Sequence, residues 1–397
     1  MIDPYAAVDW NTVHRIGSAN HMHITSQKAL DNGYRYGIRH FPLSNYYPSA
    51  PYDAGTRPSD FRLRQHWPAR RVDGGTIDPP IDWNDIITWQ EEIEAPYRSE
   101  LPFTEGGPAF NRVPADILFS PNGEHHSFTN SRSHICCPGS AFTSGNFDPK
   151  GIRYGLQAHG FVIGFGGPWQ AAFEGMIEQL KYPDGGGITI SHPTWFSRLT
   201  DEHVLQMLDF DSRVLGLEVY NDYSGRRNWD ETPGYIQPDE CAPGFSLALW
   251  DRVLATGRRC WGFCVPDHSV ERGTDWHGRN ILLTTGFTEQ ECLRAYRQGR
   301  FYGCLKDNGL TIQRFRATAT AVQVETSRKA TIHFCTEAGR VHTVLGDRAL
   351  YEFASQNEAA GDAAPGYSAT RPVFVRVEVE DESGERLFMQ PVIYRER

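Results

Sequence analysis

Between Pro114 and about residue 308, short apolar runs alternate with segments of helical spacing. Residues 115–119 read as a buried strand that stops at Ser120-Pro121-Asn122-Gly123. Residues 160–164 are either a strand or a glycine loop. The helix that follows starts near Pro168 and puts Trp169, Phe173, Met176, Ile177 and Leu180 on one face. A strand over 187–191 ends at His192-Pro193, and Thr200 caps a helix holding Val204, Leu205 and Leu208. A strand over 214–220 comes next, then a helix marked by Leu247, Trp250, Val253 and Leu254. A strand over 260–265 stops at Pro266-Asp267-His268, and another covers 281–284. Thr288 and Glu291 have the spacing of a capping box for a helix through Leu293 and Tyr296.

Outside this regular stretch the rhythm differs. Near the N-terminus, residues 28–32 read as a short helix closing at Gly33, followed by an extended run over 34–43. Residues 49 to about 112 are rich in Pro, Asp and Arg with weak periodicity, which predicts a long insertion with one helical piece near 83–94. Ordered loops of that length commonly serve as lids or binding loops. From Leu310 the pattern turns to short strands, at 311–315, 321–324 and 330–334. Residues 373–380 alternate cleanly, 381–384 form a turn, and 391–394 close the chain. The alternation over residues 1–308 predicts an α/β unit with a parallel sheet or barrel. Residues 309–397 predict a small all-β module, a sandwich.

Composition narrows the class. The chain has 397 residues, enough for a large core and a second module. No apolar run is long enough to span a bilayer, and the first residues lack the basic and apolar segments of a signal peptide. The eight cysteines show no zinc-finger spacing, so reduced thiols in the cytoplasm are expected. A formal net charge of -10 argues against non-specific nucleic-acid binding.

The chemistry begins at Asn20-His21-Met22-His23. Two histidines one residue apart on a strand point to the same side, so both imidazoles can reach one metal ion. Further histidines and acids stand at later strand ends: Glu124-His125-His126, His134, His192 and Asp267-His268. Functional residues of β/α folds collect at the C-terminal ends of strands.

This ordered set resembles the PHP family of metal-dependent phosphoesterases, over residues of about 15 to 305. The resemblance implies a distorted seven-stranded β/α (TIM-like) barrel, with residues 309–397 as the sandwich that often follows it. It implies His21 and His23 as ligands, Glu124 bridging two ions, His134 and His192 on the second side, and Asp267 from the last motif. His268 is a further ligand candidate. The ions would be divalent (Zn, Mn or Fe), polarising a phosphoryl oxygen and lowering the pKa of a water.

Three departures from the family pattern limit the ion count. Thr25-Ser26-Gln27-Lys28 offers no acid or histidine after the His-x-His pair. Ser44-Asn45-Tyr46 stands where Thr-Asp-His is usual, and Pro266-Asp267-His268 replaces Asp-x-His, with Asp275-Trp276-His277 competing. One or two ions are therefore expected rather than three.

His125, His126 or His268 could protonate a leaving oxygen. His40, His159 and His203 read as structural, and Glu218, beside Asn221, as a hydrogen-bonding residue. Arg39, Arg226, Arg227 and Arg272 are candidates for holding a small anionic substrate. The expected activity is metal-dependent phosphoester hydrolysis. Hydrolysis of a C–N or C–O bond is the alternative, for which Trp67, Trp83 and Trp89 would suit a ring substrate, as is a metal-binding recognition protein without turnover.

Overall fold

The computed structural model describes residues 1–24, 27–44, 113–125, 134–140, 142, 169–194, 199–223, 244–272, 278–306, 308–354, 367–368 and 370–395, with short backbone stretches at 103–104 and 107–108. Outside these residues lie nearly all of the expected insertion and the glycine stretch at 160–167. So do Asn45, Tyr46, Trp67, Trp83, Trp89, His126, His159, Arg226, Arg227 and residues 275–277.

In chain order the elements are β1 (His14–Ser18), α1 (Gln27–Arg35), β2 (Ile38–Pro42), β3 (Phe103–Thr104), β4 (Gly107–Pro108), β5 (Leu118–Ser120), β6 (Glu124–His125), β7 (His134–Cys136), α2 (Trp169–Glu178) and β8 (Ile188–Ser191). Next come α3 (Asp201–Phe210), β9 (Val214–Asn221), α4 (Leu247–Ala255), β10 (Trp261–Val265), α5 (Ser269–Arg272), β11 (Arg279–Thr284), α6 (Glu289–Gln298) and β12 (Phe301–Leu305). The tail is β13 (Ile312–Ala317), β14 (Ala321–Thr336), β15 (Gly339–Phe353), β16 (Tyr367–Ser368), β17 (Phe374–Glu380), β18 (Arg386–Met389) and β19 (Val392–Ile393).

Local chemistry explains most of these boundaries. Thr200 caps α3 by accepting from the His203 backbone N–H, while the His203 side chain takes the Thr200 N–H. Thr288 caps α6 through the Glu291 N–H. Only half of the expected capping box forms there, because the Glu291 carboxylate is engaged by Thr285 and Arg294 instead. Helix α1 runs past Gly33 and stops at Gly37, which takes left-handed backbone (φ 85°). Gly33 lies inside the helix where the Phe41 ring crosses it: a Cβ there would sit 2.9 Å from that ring.

The architecture is mixed α/β and rich in sheet. Strands β1, β2 and β5 run parallel in a twelve-stranded sheet, and β8, β9 and β10 run parallel in a five-stranded one that also holds β7 and β6. Apart from the short β3–β4 pair, the described strands thus form two sheets rather than one closed ring. The ring is broken twice, between the edge strands β5 and β6 and between β10 and β11, which are neighbours but exchange no strand pairing. Side-chain amides stand in for the missing partner along the β10 edge. The Gln390 amide accepts from the Gly262 N–H at 2.7 Å and donates to the Gly262 carbonyl at 2.8 Å. Asn280 on β11 accepts from the Cys264 N–H at 3.0 Å. Gly262 admits no side chain here, since a Cβ would meet the Trp250 ring at 2.6 Å.

The tail is all β among its described residues, and its strands continue the large sheet through the β12–β18 pairing. The register of β14 shifts between Glu325 and Ala330. Its first part pairs with β13 and its second with β17. The resulting sheet encloses a core that includes Ile312, Val324, Ile332, Val377 and Leu387. A second core, centred on Trp250, Leu217 and Phe173, lies between the five-stranded sheet and α2, α3 and α4. Arg376 of β17 ties this helical layer to the tail, bonding both oxygens of Asp251 on α4 at 2.5 and 2.7 Å. No helix of the described residues is long and apolar enough to cross a membrane.

Candidate metal centre

The site sits where the two sheets meet. His21 and His23 follow β1 of the large sheet, while Glu124, His134, His192 and Asp267 sit on or just after β6, β7, β8 and β10 of the small one. The His-x-His pair lies beyond the end of β1, in an extended segment that is paired by its backbone. The Asp267 N–H donates to the His21 carbonyl (3.2 Å) and the His23 N–H to the Asp267 carbonyl (3.4 Å). Met22 between them turns into the core, so both imidazoles share one side, as alternation requires.

Two ligand groups result. In the first, ligand atoms of His21, His23, Glu124 and Asp267 all lie within 4.8 Å of one another, and all four residues are buried. Glu124 Oε2 is 3.0 Å from His23 Nε2 and 3.4 Å from His21 Nε2. Asp267 Oδ1 is 3.3 Å from each of the same two nitrogens. In the second group, the other Glu124 oxygen, Oε1, is 2.6 Å from His134 Nδ1 and 3.3 Å from His192 Nε2. Glu124 therefore presents one oxygen to each group. Its place on the β6–β7 ladder produces this, since Glu124 pairs with Cys136, two residues along β7 from His134.

Three described residues just past strand ends hold left-handed backbone despite having side chains, and two of them, His192 (φ 26°) and Asp267 (φ 53°), belong to the cluster; the third is Lys306 after β12. Such conformations are costly for residues other than glycine and concentrate at functional sites. Here they turn the first residue beyond β8 and the second beyond β10 into the cluster.

The electrostatics of the bare cluster are those of crowded opposite charges. Burial alone would keep His23 neutral, but hydrogen bonds with Asp267 and Glu124 outweigh it and raise the imidazole to about 9. His21 is raised too: burial opposes this, and the charge of Asp267 leads the groups that overcome it. Burial would raise the Asp267 carboxyl, but the His21 charge and the bond from His23 hold it well below the usual carboxylate range.

The residues fit a divalent cation. His21 Nε2 and Asp267 Oδ1 are buried without a well-aligned hydrogen bond among the described residues, and both point into the same small volume as Glu124 Oε2. Buried polar atoms left in this way normally meet an ion or water. Imidazole and carboxylate together suit zinc, manganese or iron rather than a soft-metal site.

The other sequence candidates are placed as follows. His268 stacks on His23, with ring centroids 3.7 Å apart and planes 7° apart, and its Nε2 is 3.9 Å from Asp267 Oδ1. His125 is not brought to either group. It neighbours Glu124 on β6, so alternation sends it to the opposite side, where its ring packs on Phe142. His126 lies outside the described residues. Glu218 and Asn221, on β9, bond the ligands themselves. Cys136 was not foreseen: it joins His21 and Glu218 in a third buried group. The signal was available, because His134 and Cys136 stand two apart on a strand and so share a face. All seven described cysteines are free.

His203 serves as a helix cap, and His40 is wholly buried between Ser18 and Ser120. Burial pushes the His40 imidazole down to about 3. Between that value and its ordinary 6.5 the unfolded chain takes up a proton that the folded chain refuses. Stability contributed by neutral His40 should thus be lost as pH falls below about 6.5, by roughly 1.4 kcal/mol per pH unit. Urea melts from pH 7 to 5 should show this slope in the wild type and a shallower one in His40→Gln.

Comparisons with known proteins add little to this geometry. No protein-family model matches the chain, and no curated protein matches it. Among solved structures, the chain is similar to a two-domain protein from Bacteroides vulgatus that contains a predicted PHP-like metal-dependent phosphoesterase. The likeness covers 89% of this chain and 88% of that one, at 12% identity and a TM-score of 0.37.

Proposed function

We propose that the chain is a divalent-metal-dependent hydrolase acting on phosphoesters, with a small anionic substrate. The observation that carries this reading is the placement of Glu124, whose two carboxylate oxygens face two separate histidine-containing groups. A bridging carboxylate of this kind is what a pair of ions needs. When bound, two such ions act as Lewis acids on a phosphoryl oxygen and make a water nucleophilic at neutral pH.

His21, His23 and Asp267 would hold one ion with Glu124 Oε2, and His134 and His192 the other with Glu124 Oε1. Zinc, manganese and iron all suit this donor set. His268 is placed to move a proton at the leaving oxygen, since it lies at the edge of the cluster and keeps 13% of its side-chain surface exposed. Burial of the ligands excludes bulk water from the charged groups, which strengthens their hold on charge. The strand pattern and the ordered ligands are those of the PHP resemblance. In this reading residues 1–308 are the catalytic α/β unit, residues 309–397 are a second unit, and the protein works in the cytoplasm.

Metal analysis of the purified protein tests the reading, together with hydrolysis of an aryl phosphate after addition of Mn or Zn. One or two equivalents of metal and metal-dependent turnover are expected. A protein that binds no divalent ion would defeat the proposal. Metal binding with turnover only on amides or glycosides would reassign the reaction.

A further inference from the structure

Glu218 and Asn221 occupy the C-terminal end of β9 and touch three of the ligands without joining either Glu124-containing group. Glu218 Oε1 accepts from His21 Nδ1 at 2.7 Å. A carboxylate there fixes the Nδ1–H form of the ring and leaves Nε2 facing Asp267 and Glu124. Glu218 Oε2 accepts from the backbone N–H of His192 at 2.7 Å, the residue held at φ 26°. The same oxygen accepts from Asn221 Nδ2 at 2.9 Å. Asn221 Nδ2 also donates to Asp267 Oδ2 at 3.1 Å, which leaves Asp267 Oδ1 turned to the cluster.

We infer that Glu218 is the positioning residue of the whole centre, and that Asn221 positions one half of it. This rests on the proposed two-ion reading. Glu218 serves both halves, through the His21 ring on one side and the His192 backbone on the other. Asn221 acts on the first half directly, through Asp267, and on the second only by way of Glu218. The two residues lie three apart on one strand, β9, so a single strand sets the aim of ligands that follow β1, β8 and β10. Both are buried, at 1% exposure each, and pack too tightly to reach substrate.

The two substitutions therefore differ in a predictable way. In Glu218→Gln the side chain keeps its shape and one acceptor oxygen. Its amide nitrogen must then face either the His21 Nδ1–H or the donors of His192 and Asn221, and a donor cannot bond a donor. In Asn221→Leu the size is kept and the bonds to Asp267 and Glu218 are lost. Titration with Co2+, followed by its visible absorption, reads affinity and ligand geometry at once.

The wild type should bind two ions. Glu218→Gln should weaken both by about 10–100-fold and alter the absorption of both, as loss of a ligand-orienting partner does. Asn221→Leu should weaken the ion at Asp267 clearly more than the other. Thermal melts of the metal-free proteins control for folding, and Glu218→Asp, which restores the carboxylate, should recover part of the affinity. Wild-type protein that binds no Co2+ would defeat the two-ion reading and the inference with it. Wild-type binding matched by unchanged affinity and absorption in Glu218→Gln would overturn the inference alone. Equal weakening of both ions by Asn221→Leu would overturn the division of labour.

Discussion

Replacing His21 and His23 together by alanine is expected to abolish binding at the first ion position and to cut phosphoester hydrolysis by at least about 10³-fold. Loss of one outer partner of a ligand already costs about 10–100-fold in affinity or activity, and two ligands are removed here. The structure adds a reason why nothing nearby compensates. Among the described residues Asp267 forms ion pairs with His21, His23 and His268 but with no lysine or arginine, so its buried charge loses its two nearest ionisable partners. Metal content per chain and initial rates on an aryl phosphate check the expectation. Full metal content in the double variant would remove this pair from the site.

The second large effect concerns architecture. Gln390→Leu is expected to destabilise the protein by about 2–6 kcal/mol, because it strands both the buried N–H and the buried carbonyl of Gly262 at about 1–3 kcal/mol for each group. No main-chain group can move in to replace the amide. The Gln390 backbone is itself anchored, its N–H donating to the Tyr5 hydroxyl, which donates to the Phe301 carbonyl. Chemical denaturation of the two proteins measures the difference. Gln390→Glu offers a control that keeps the acceptor and loses the donor. A Gln390→Leu protein as stable as the wild type would show that the β10 edge tolerates exposure of these groups.

Much of the order of elements could be read from the chain, for reasons visible in particular residues. The strands at 188–191, 214–221 and 261–265 are buried on both faces, and such strands are continuous apolar runs. Thr200 and Thr288 announce their helices because a hydroxyl at that position bonds the first free N–H groups.

The tail was harder. Residues 321–324 and 330–334 read as two strands, yet they are the ends of one, β14, whose irregular middle hides its continuity. Strand β15 escaped notice because its residues are largely exposed, Leu345 and Leu350 among them, so alternation carried little apolar signal.

The candidate site was legible as a set of residue types at strand ends, but not as a geometry. That Glu124 turns one oxygen to each group follows from its cross-strand partner, and pairing is not written in local spacing. One of the two breaks in the expected barrel, along the β10 edge, is bridged by two amide side chains, Asn280 and Gln390. In the sequence these are ordinary polar residues beside apolar runs.

The candidate ligands come from both sheets, and this has a thermodynamic consequence. Any ion held there is a cross-link between the large sheet, through His21 and His23, and the small one, through Glu124 and Asp267. Occupancy and folding then form one linked equilibrium. An ion present at about a thousand times its dissociation constant adds roughly 4 kcal/mol to the folded state. That is comparable to a large share of the 5–15 kcal/mol that a typical domain has in total. Starvation for metal would thus lower the amount of folded protein as well as silence the site.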